Sequence, residues 1–309
     1  MTDRQRFRVQ ANIGHSYQAE GECEDAAKYF LQAQQYEPEY EKARVLEALA
    51  YLLLGNRPKG EELSRRIIAN FPRETLAHSI LVRCVPKEVS FDEVEEMVDE
   101  QLLRDPEVSL ALAEAAMVRD RPAAAESYAA QAHSQAEDSA VVKEALADTM
   151  MIRARVWERF AQERTATAEE NNCVERACSL YTDAINALTP QGPPKRLASL
   201  RLKRSGALLA MDKTDEWEQD CTVAYELDPS NEEAVFKYAG IKERRGDLNA
   251  AISLTESLLP RRVSPIVQLR LAQLLLQRRG PGDISRGSEL LRSRLGDLPQ
   301  LSPEICTEY

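Results

Sequence analysis

Small and apolar residues return every three or four positions along nearly the whole chain. After Gly21, the residues Ala26, Phe30 and Ala33 share one helical face before Pro38. Val45, Leu46, Leu49, Leu52 and Leu53 mark a second stripe, and ERACSLYTDAINAL renews it through Ala177, Tyr181 and Ala184. LRLAQLLLQRR carries the pattern toward the C-terminus. Such spacing predicts amphipathic helices that bury one face. Composition points the same way, since 43% hydrophobic residues with only 6% aromatics suit helix-forming sequence better than a β-sandwich or a disordered chain.

The stripes themselves repeat. A shift of 34 residues carries Tyr17 onto Tyr51, Gly21 onto Gly55, and Pro38 onto Pro72 and then Pro106. A fixed period of this length marks stacked helix pairs, none of which can bury its apolar face alone. In residues 7–40 the markers are Ile13, Gly14, Tyr17, Gly21, Ala26, Phe30, Ala33 and Pro38; KRSGALLAMDKTDEWEQDCTVAYELDPSNEEA is a second good copy, closed by Ala224, Leu227, Asp228 and Pro229. On these residues the sequence resembles the tetratricopeptide repeat (TPR) family. Small residues such as Gly14 and Ala26 are expected where helix backbones approach closely, with Tyr17 and Phe30 filling the space beside them. Gly21, Gly55 and Gly246 are expected to turn between paired helices, and Pro38, Pro72 and Pro229 to stop the second helix of a pair. Ser230 to Glu233 reads as a capping box. Trp217 stands where a small residue is expected.

Other repeats are less regular. Residues 75–108 lose the turn glycine to KEVSFDE; residues 109–137 are short and alanine-rich, with Ala124 and Tyr128 marking the second helix. In 138–190 an extended first helix is expected through MMIRARVWERF and a loop at TATAEENN. TPQGPP is the strongest break. The fold predicted is therefore all-α, a right-handed α-solenoid of about eight stacked antiparallel helix pairs. Residues 1–190 form the N-terminal repeats, 191–298 continue the same solenoid, and 299–309 form a loose tail. The first repeat begins without an evident polar cap and the last without a capping helix, which reads as a segment of a longer protein.

Charge narrows the partners. The chain holds 40 Lys and Arg against 51 Asp and Glu, a formal −11, which disfavours nucleic acid because phosphate binding needs basic clusters. Residues 195–294 are the exception, with 18 basic and 14 acidic residues. The opening MTDRQRFRVQ lacks the apolar core of a secretory signal, and no apolar run approaches a membrane span, so a cytoplasmic protein is expected. Six scattered cysteines suit neither a zinc site nor a disulfide framework; Cys173 and Cys178, five apart, read as unpaired thiols in preference to a redox pair.

Nor does an enzyme's equipment emerge. His15, His78 and His133 lack neighbours at metal-ligand spacing, GNRPKG lacks the spacing of a phosphate loop, and FDEVEEMVDE lacks the ligand alternation of a calcium loop. No cofactor or metal is expected. What remains is a binding surface, because the resemblance implies that the first helix of each pair lines a concave groove for a peptide or protein. Asn12 occupies the place of the asparagine with which many chaperone-binding members hold a terminal carboxylate, but Leu46 and Ile80 stand where further polar groups would follow. The same place in later repeats gives Lys203, Lys237 and Arg270, a basic stripe for an acidic segment, with neutralisation by Glu233 and Glu243 an open alternative. Leu46, Leu49 and Leu53 form an apolar strip that reads either as a partner-helix anchor or as core. The expectation is a non-catalytic scaffold or adaptor, its partner anchored near Leu49 and its acidic portion near Lys203, Lys237 and Arg270. The alternative is the sensor region of a larger signalling protease or NTPase.

Overall fold

The computed structural model describes residues 2–154, 165–189, 192–259 and 265–295. Sixteen α-helices and one 3₁₀ helix are found there, and no strand occurs among the described residues. The chain separates into two compact units, one formed by Met1–Arg155 with Ala168–Arg196 and the other by Val156–Thr167 with Leu197–Tyr309.

The first unit opens with α1 (Asp3–Glu20), α2 (Cys23–Tyr36), α3 (Glu41–Leu53), α4 (Arg57–Asn70) and α5 (Thr75–Cys84). It continues through α6 (Phe91–Glu96), the 3₁₀ helix Glu100–Arg104, α7 (Pro106–Val118), α8 (Pro122–Gln135), α9 (Ala140–Arg153) and α10 (Ala168–Leu188). Helices adjacent in sequence pack together from α1 to α5 and from α7 to α10, and the first helices of successive pairs also touch, α3 against α5 and α7 against α9. Gly21 and Gly55 adopt φ of +81° and +73°, a left-handed turn that costs glycine no Cβ clash. Close approach explains Gly14: a Cβ there would stand 2.5 Å from Phe30 Cε1. Ala26, Phe30 and Ala33 are wholly buried in the same cluster as Ala43, Ala48 and Ile80. The stretch from Gly21 to Pro38 is thus a turn and a packing helix.

Several expectations need correction. Thr2 supplies a polar cap for α1, its side chain accepting from Gln5 N while Gln5 answers to the Thr2 backbone. Asn231, and not Ser230, caps the helix that follows Pro229, accepting from Ala234 N at 3.1 Å; the Ser230 hydroxyl donates to Asp228 instead. TATAEENN is only partly a loop, since α10 begins at Ala168. The long first helix expected through MMIRARVWERF reaches Arg153 within α9, with Ala154 as its C-cap; residues 155–160 lie outside the described ones, as do the tail and Pro190 and Gln191 of TPQGPP. Pro106 opens α7 and stands two residues past the 3₁₀ helix, as Pro38 and Pro72 stand two residues past α2 and α4. The missing glycine at KEVSFDE has a structural counterpart: one short helix and a 3₁₀ turn replace a full second helix there. Arg119 ties this segment down, donating to the carbonyls of Val85, Pro86 and Val89, backbone groups that regular helix would have satisfied internally.

The second unit holds α11 (Pro194–Ala210, from Leu197 onward), α12 (Thr214–Leu227), α13 (Glu232–Arg244), α14 (Leu248–Leu258), α15 (Pro265–Arg278) and α16 (Asp283–Leu295). Packing is again sequential from α12 to α16. Trp217, at a place where a small residue was expected, is 9% exposed, and the Arg244 guanidinium lies 4.4 Å from its ring centroid. A charged side chain thus covers what the indole leaves open. Among the described residues no helix is long and apolar enough to cross a membrane.

Candidate functional site

Helix α11 brings Arg201, Lys203, Arg204 and Ser205 into the second unit; α13 contributes Glu233, Lys237 and Glu243, and α15 contributes Arg270. Lys237 is held on three sides. Its Nζ lies 2.9 Å from Glu233 Oε1, donates to Ser205 Oγ at 3.0 Å and approaches the Leu202 carbonyl at 3.5 Å. Arg270 pairs with Glu243. Lys203 is half-buried on α11. The two predicted neutralising partners are therefore in place for Lys237 and Arg270. The Lys237 pair is the looser, because the Glu233 side chain is 60% exposed and a solvated carboxylate contributes little net stability.

Beneath this face lies a cluster that the spacing of Lys203, Lys237 and Arg270 did not disclose. Asp220, from α12, is 1% exposed. Arg201 reaches its Oδ1 at 2.8 Å, and Arg204 grips it through both oxygens at 2.6 Å, the planar fork geometry that guanidinium offers a carboxylate. Two guanidiniums thus grip one buried carboxylate. The Ser205 hydroxyl, next in sequence to Arg204, accepts from Lys237 and donates to Leu202 O at 2.7 Å. Burial pushes the neighbouring Cys221 thiol up, against a smaller lowering effect of Ser205, so Cys221 behaves as a packed apolar residue. The available signal was a lone aspartate on a face of α12 that otherwise buries Trp217, Cys221 and Ala224. A buried carboxylate requires partners, and the i, i+3 pair Arg201 and Arg204 could have been assigned to it.

In the first unit the apolar candidates are largely interior. Leu46 and Leu49 are 5% and 6% exposed within the core that also holds Val45 and Ile80, and Leu53 packs partly buried against it. The strip therefore follows its core reading. Each first helix packs against helices on both sides, which widens its buried face beyond a single seam. Asn12 is exposed on α1, where its carbonyl accepts the Ser16 hydroxyl at 3.1 Å. It lies in a different unit from Lys203, Lys237 and Arg270.

The histidines and thiols serve local structure. His78 is buried with Nε2 3.0 Å from Pro72 O, and His15 sets its ring edge toward Phe30 at 4.9 Å. Cys173 is buried and Cys178 half-buried, neither in a disulfide. Among the described residues no group of three His, Cys, Asp or Glu side chains could hold a metal ion.

No family model and no curated protein matches the sequence. Solved structures do. A human IFIT1 dimer with PPP-AAAA is similar over 94% of this chain and 72% of its own, with a TM-score of 0.58 at 12% identity. An IFIT1 monomeric mutant with Gppp-AAAA gives 0.58 over 88% of this chain and 67% of its own, again at 12% identity. PilW, a type IV pilus biogenesis factor, gives 0.50 over 87% of this chain and 98% of its own at 14% identity. The fold is a TPR-like α-solenoid. At these identities the likeness concerns the fold, and the TPR-like chain keeps its own surface chemistry.

Proposed function

We propose that this TPR-like chain is a non-catalytic interaction scaffold that engages an acidic segment of a protein partner through the repeats of residues 191–298. The observation that supports this most is the loose pairing of Lys237 beside the Asp220 cluster. Two arginines converge on one carboxylate, and Lys237 stands beside them with a counter-ion that is mostly in solvent. A partner carboxylate can replace exposed Glu233 on Lys237 at little cost, in a stretch, residues 195–294, that holds 18 basic and 14 acidic residues. Preorganised helices would let binding proceed with little ordering of the scaffold. Protein is favoured over nucleic acid because the cations here are few and partly paired within a chain of net charge −11. As the recognition region of a larger signalling enzyme, the same face would serve the same purpose.

Replacing Lys203, Lys237 and Arg270 together by Glu is expected to abolish partner recovery in comparative affinity capture, with helix content by circular dichroism unchanged. Arg201 and Arg204 stay untouched because they hold Asp220. Unaltered recovery by the folded triple variant rules out the basic face as the docking surface.

A further inference from the structure

The connection between α4 and α5 forms a ridge between two depressions in the first unit. On one side Pro72, Arg73, Asp99, Gln101, Leu102 and Arg104 surround about 750 Å³. On the other, Glu41, Asn70, Phe71 and Glu74 join Pro72 and Arg73 around about 430 Å³. The first lies where the 3₁₀ helix has replaced a regular second helix, so the irregularity of residues 75–108 opens a concavity.

The two sides have opposite charge. Arg73 and Arg104 are exposed, and among the described residues neither guanidinium has an ion-pair partner. Asp99, the one carboxylate on that side, is engaged as a cap, its Oδ1 accepting from Gln101 N at 2.8 Å. Leu102, 8% exposed, supplies an apolar lining. Most of the chain's other described arginines are paired, as Arg83 is with Glu107 and Glu114, and Arg153 with Glu126 and Glu169. Two unpaired arginines lining one concavity are the planar donor sets that bind carboxylates bidentately. Across the ridge, burial first and a hydrogen bond with Glu41 second push the Glu74 carboxyl up. The Lys42 charge lowers it only as the least of these effects, and a basic group placed between the two carboxyls would favour their ionised forms.

We propose that this double depression is a peptide-docking site, taking an extended segment whose acidic residues lie between Arg73 and Arg104 and whose basic residues lie against Glu41 and Glu74. Charge complementarity selects this occupant. A compact anion would use only one side, whereas a strand crossing Pro72 uses both, with Phe71, 37% exposed, available to its intervening apolar side chains. The site lies within the first unit and does not rest on the basic face of α11 and α13, so either reading survives failure of the other.

The probe is a fluorescein-labelled peptide Glu-Glu-Ala-Ala-Lys-Lys, followed by anisotropy on the full chain. Binding is expected to weaken at least about tenfold in the Arg73→Glu, Arg104→Glu double variant, and also when the peptide's glutamates become glutamines, since both changes remove the charge-assisted hydrogen bonds between guanidinium and carboxylate. The Glu41→Gln, Glu74→Gln variant is expected to weaken it too, and Arg73→Lys, Arg104→Lys to retain part of the affinity. The Lys203, Lys237, Arg270 triple variant is expected to bind as the unaltered chain does. No binding by the unaltered chain, equal binding of the glutamine peptide, or full affinity in a folded Arg73→Glu, Arg104→Glu variant overturns the proposal.

Discussion

Phe30→Ala is expected to lower the unfolding free energy by about 3–5 kcal/mol, and the melting temperature by on the order of 10 °C. Its ring is wholly buried, lies against the Gly14 backbone and meets the His15 ring at its edge. Truncation empties the space between α1 and α2 that the small residues were placed to leave. Gly14 provides the control. On its own, Gly14→Ala forces a methyl toward Phe30 Cε1, at 2.5 Å before relaxation, and is expected to cost about 1–3 kcal/mol. In the Phe30→Ala background the same methyl enters a void, so the two changes should couple by on the order of 1 kcal/mol. Chemical denaturation of the four proteins measures this. Additive changes, or a loss below about 1 kcal/mol for Phe30→Ala, would show that the two residues do not form the packing unit described here.

The sequence makes that contact legible because the repeat markers place Gly14 and Phe30 on paired helices. Tyr17 and Tyr51, Gly21 and Gly55, and Pro38 and Pro72 share one interval, and the turns and buried helix faces follow from residue size and backbone freedom. Where markers were absent the reading weakened. At KEVSFDE nothing in the local pattern disclosed that a short helix and a 3₁₀ turn would share the work of one helix, or that Arg119 would bind three carbonyls in that segment. The apolar strip at Leu46 and Leu49 was ambiguous for a different reason. Hydrophobic periodicity reports that a face is buried without saying whether the chain itself or a partner buries it. In the same way, the sequence placed Lys237 and Arg270 at matching positions, but Glu243 pairs with Arg270 from 27 residues away and Asp220 with Arg201 from 19. Ion pairs between helices depend on how helices pack, which no local spacing specifies.

Asp220→Ala is expected to cost about 3 kcal/mol, the second large effect. Arg201 and Arg204 are 24% and 19% exposed at their side chains, so removing their shared carboxylate breaks three charged hydrogen bonds to largely desolvated guanidiniums between α11 and α12. Glu233→Ala should change stability by less than about 0.5 kcal/mol, because that carboxylate is already largely solvated. The same two variants separate stability from recognition. Loss of Glu233 exposes Lys237 more fully to an acidic partner and should leave or strengthen binding, while loss of Asp220 disorders the face that presents it. Denaturant unfolding of both variants checks the contrast, and comparable losses would mean that Asp220 and Glu233 are equally screened.

The central claim is that the basic face of α11 and α13 recognises acidic protein and not nucleic acid. Competition on that face tests it most directly: anisotropy of a labelled hexaglutamate peptide bound to the Arg73→Glu, Arg104→Glu variant, which removes the basic side of the depression beside Pro72, titrated with unlabelled hexaglutamate or with a 5′-triphosphorylated oligoadenylate at physiological salt. The account predicts saturable peptide binding, lost when Lys203, Lys237 and Arg270 are also changed to Glu, with the oligoadenylate a far weaker competitor. Tighter binding of the oligoadenylate, or peptide affinity indifferent to those three residues, would contradict it.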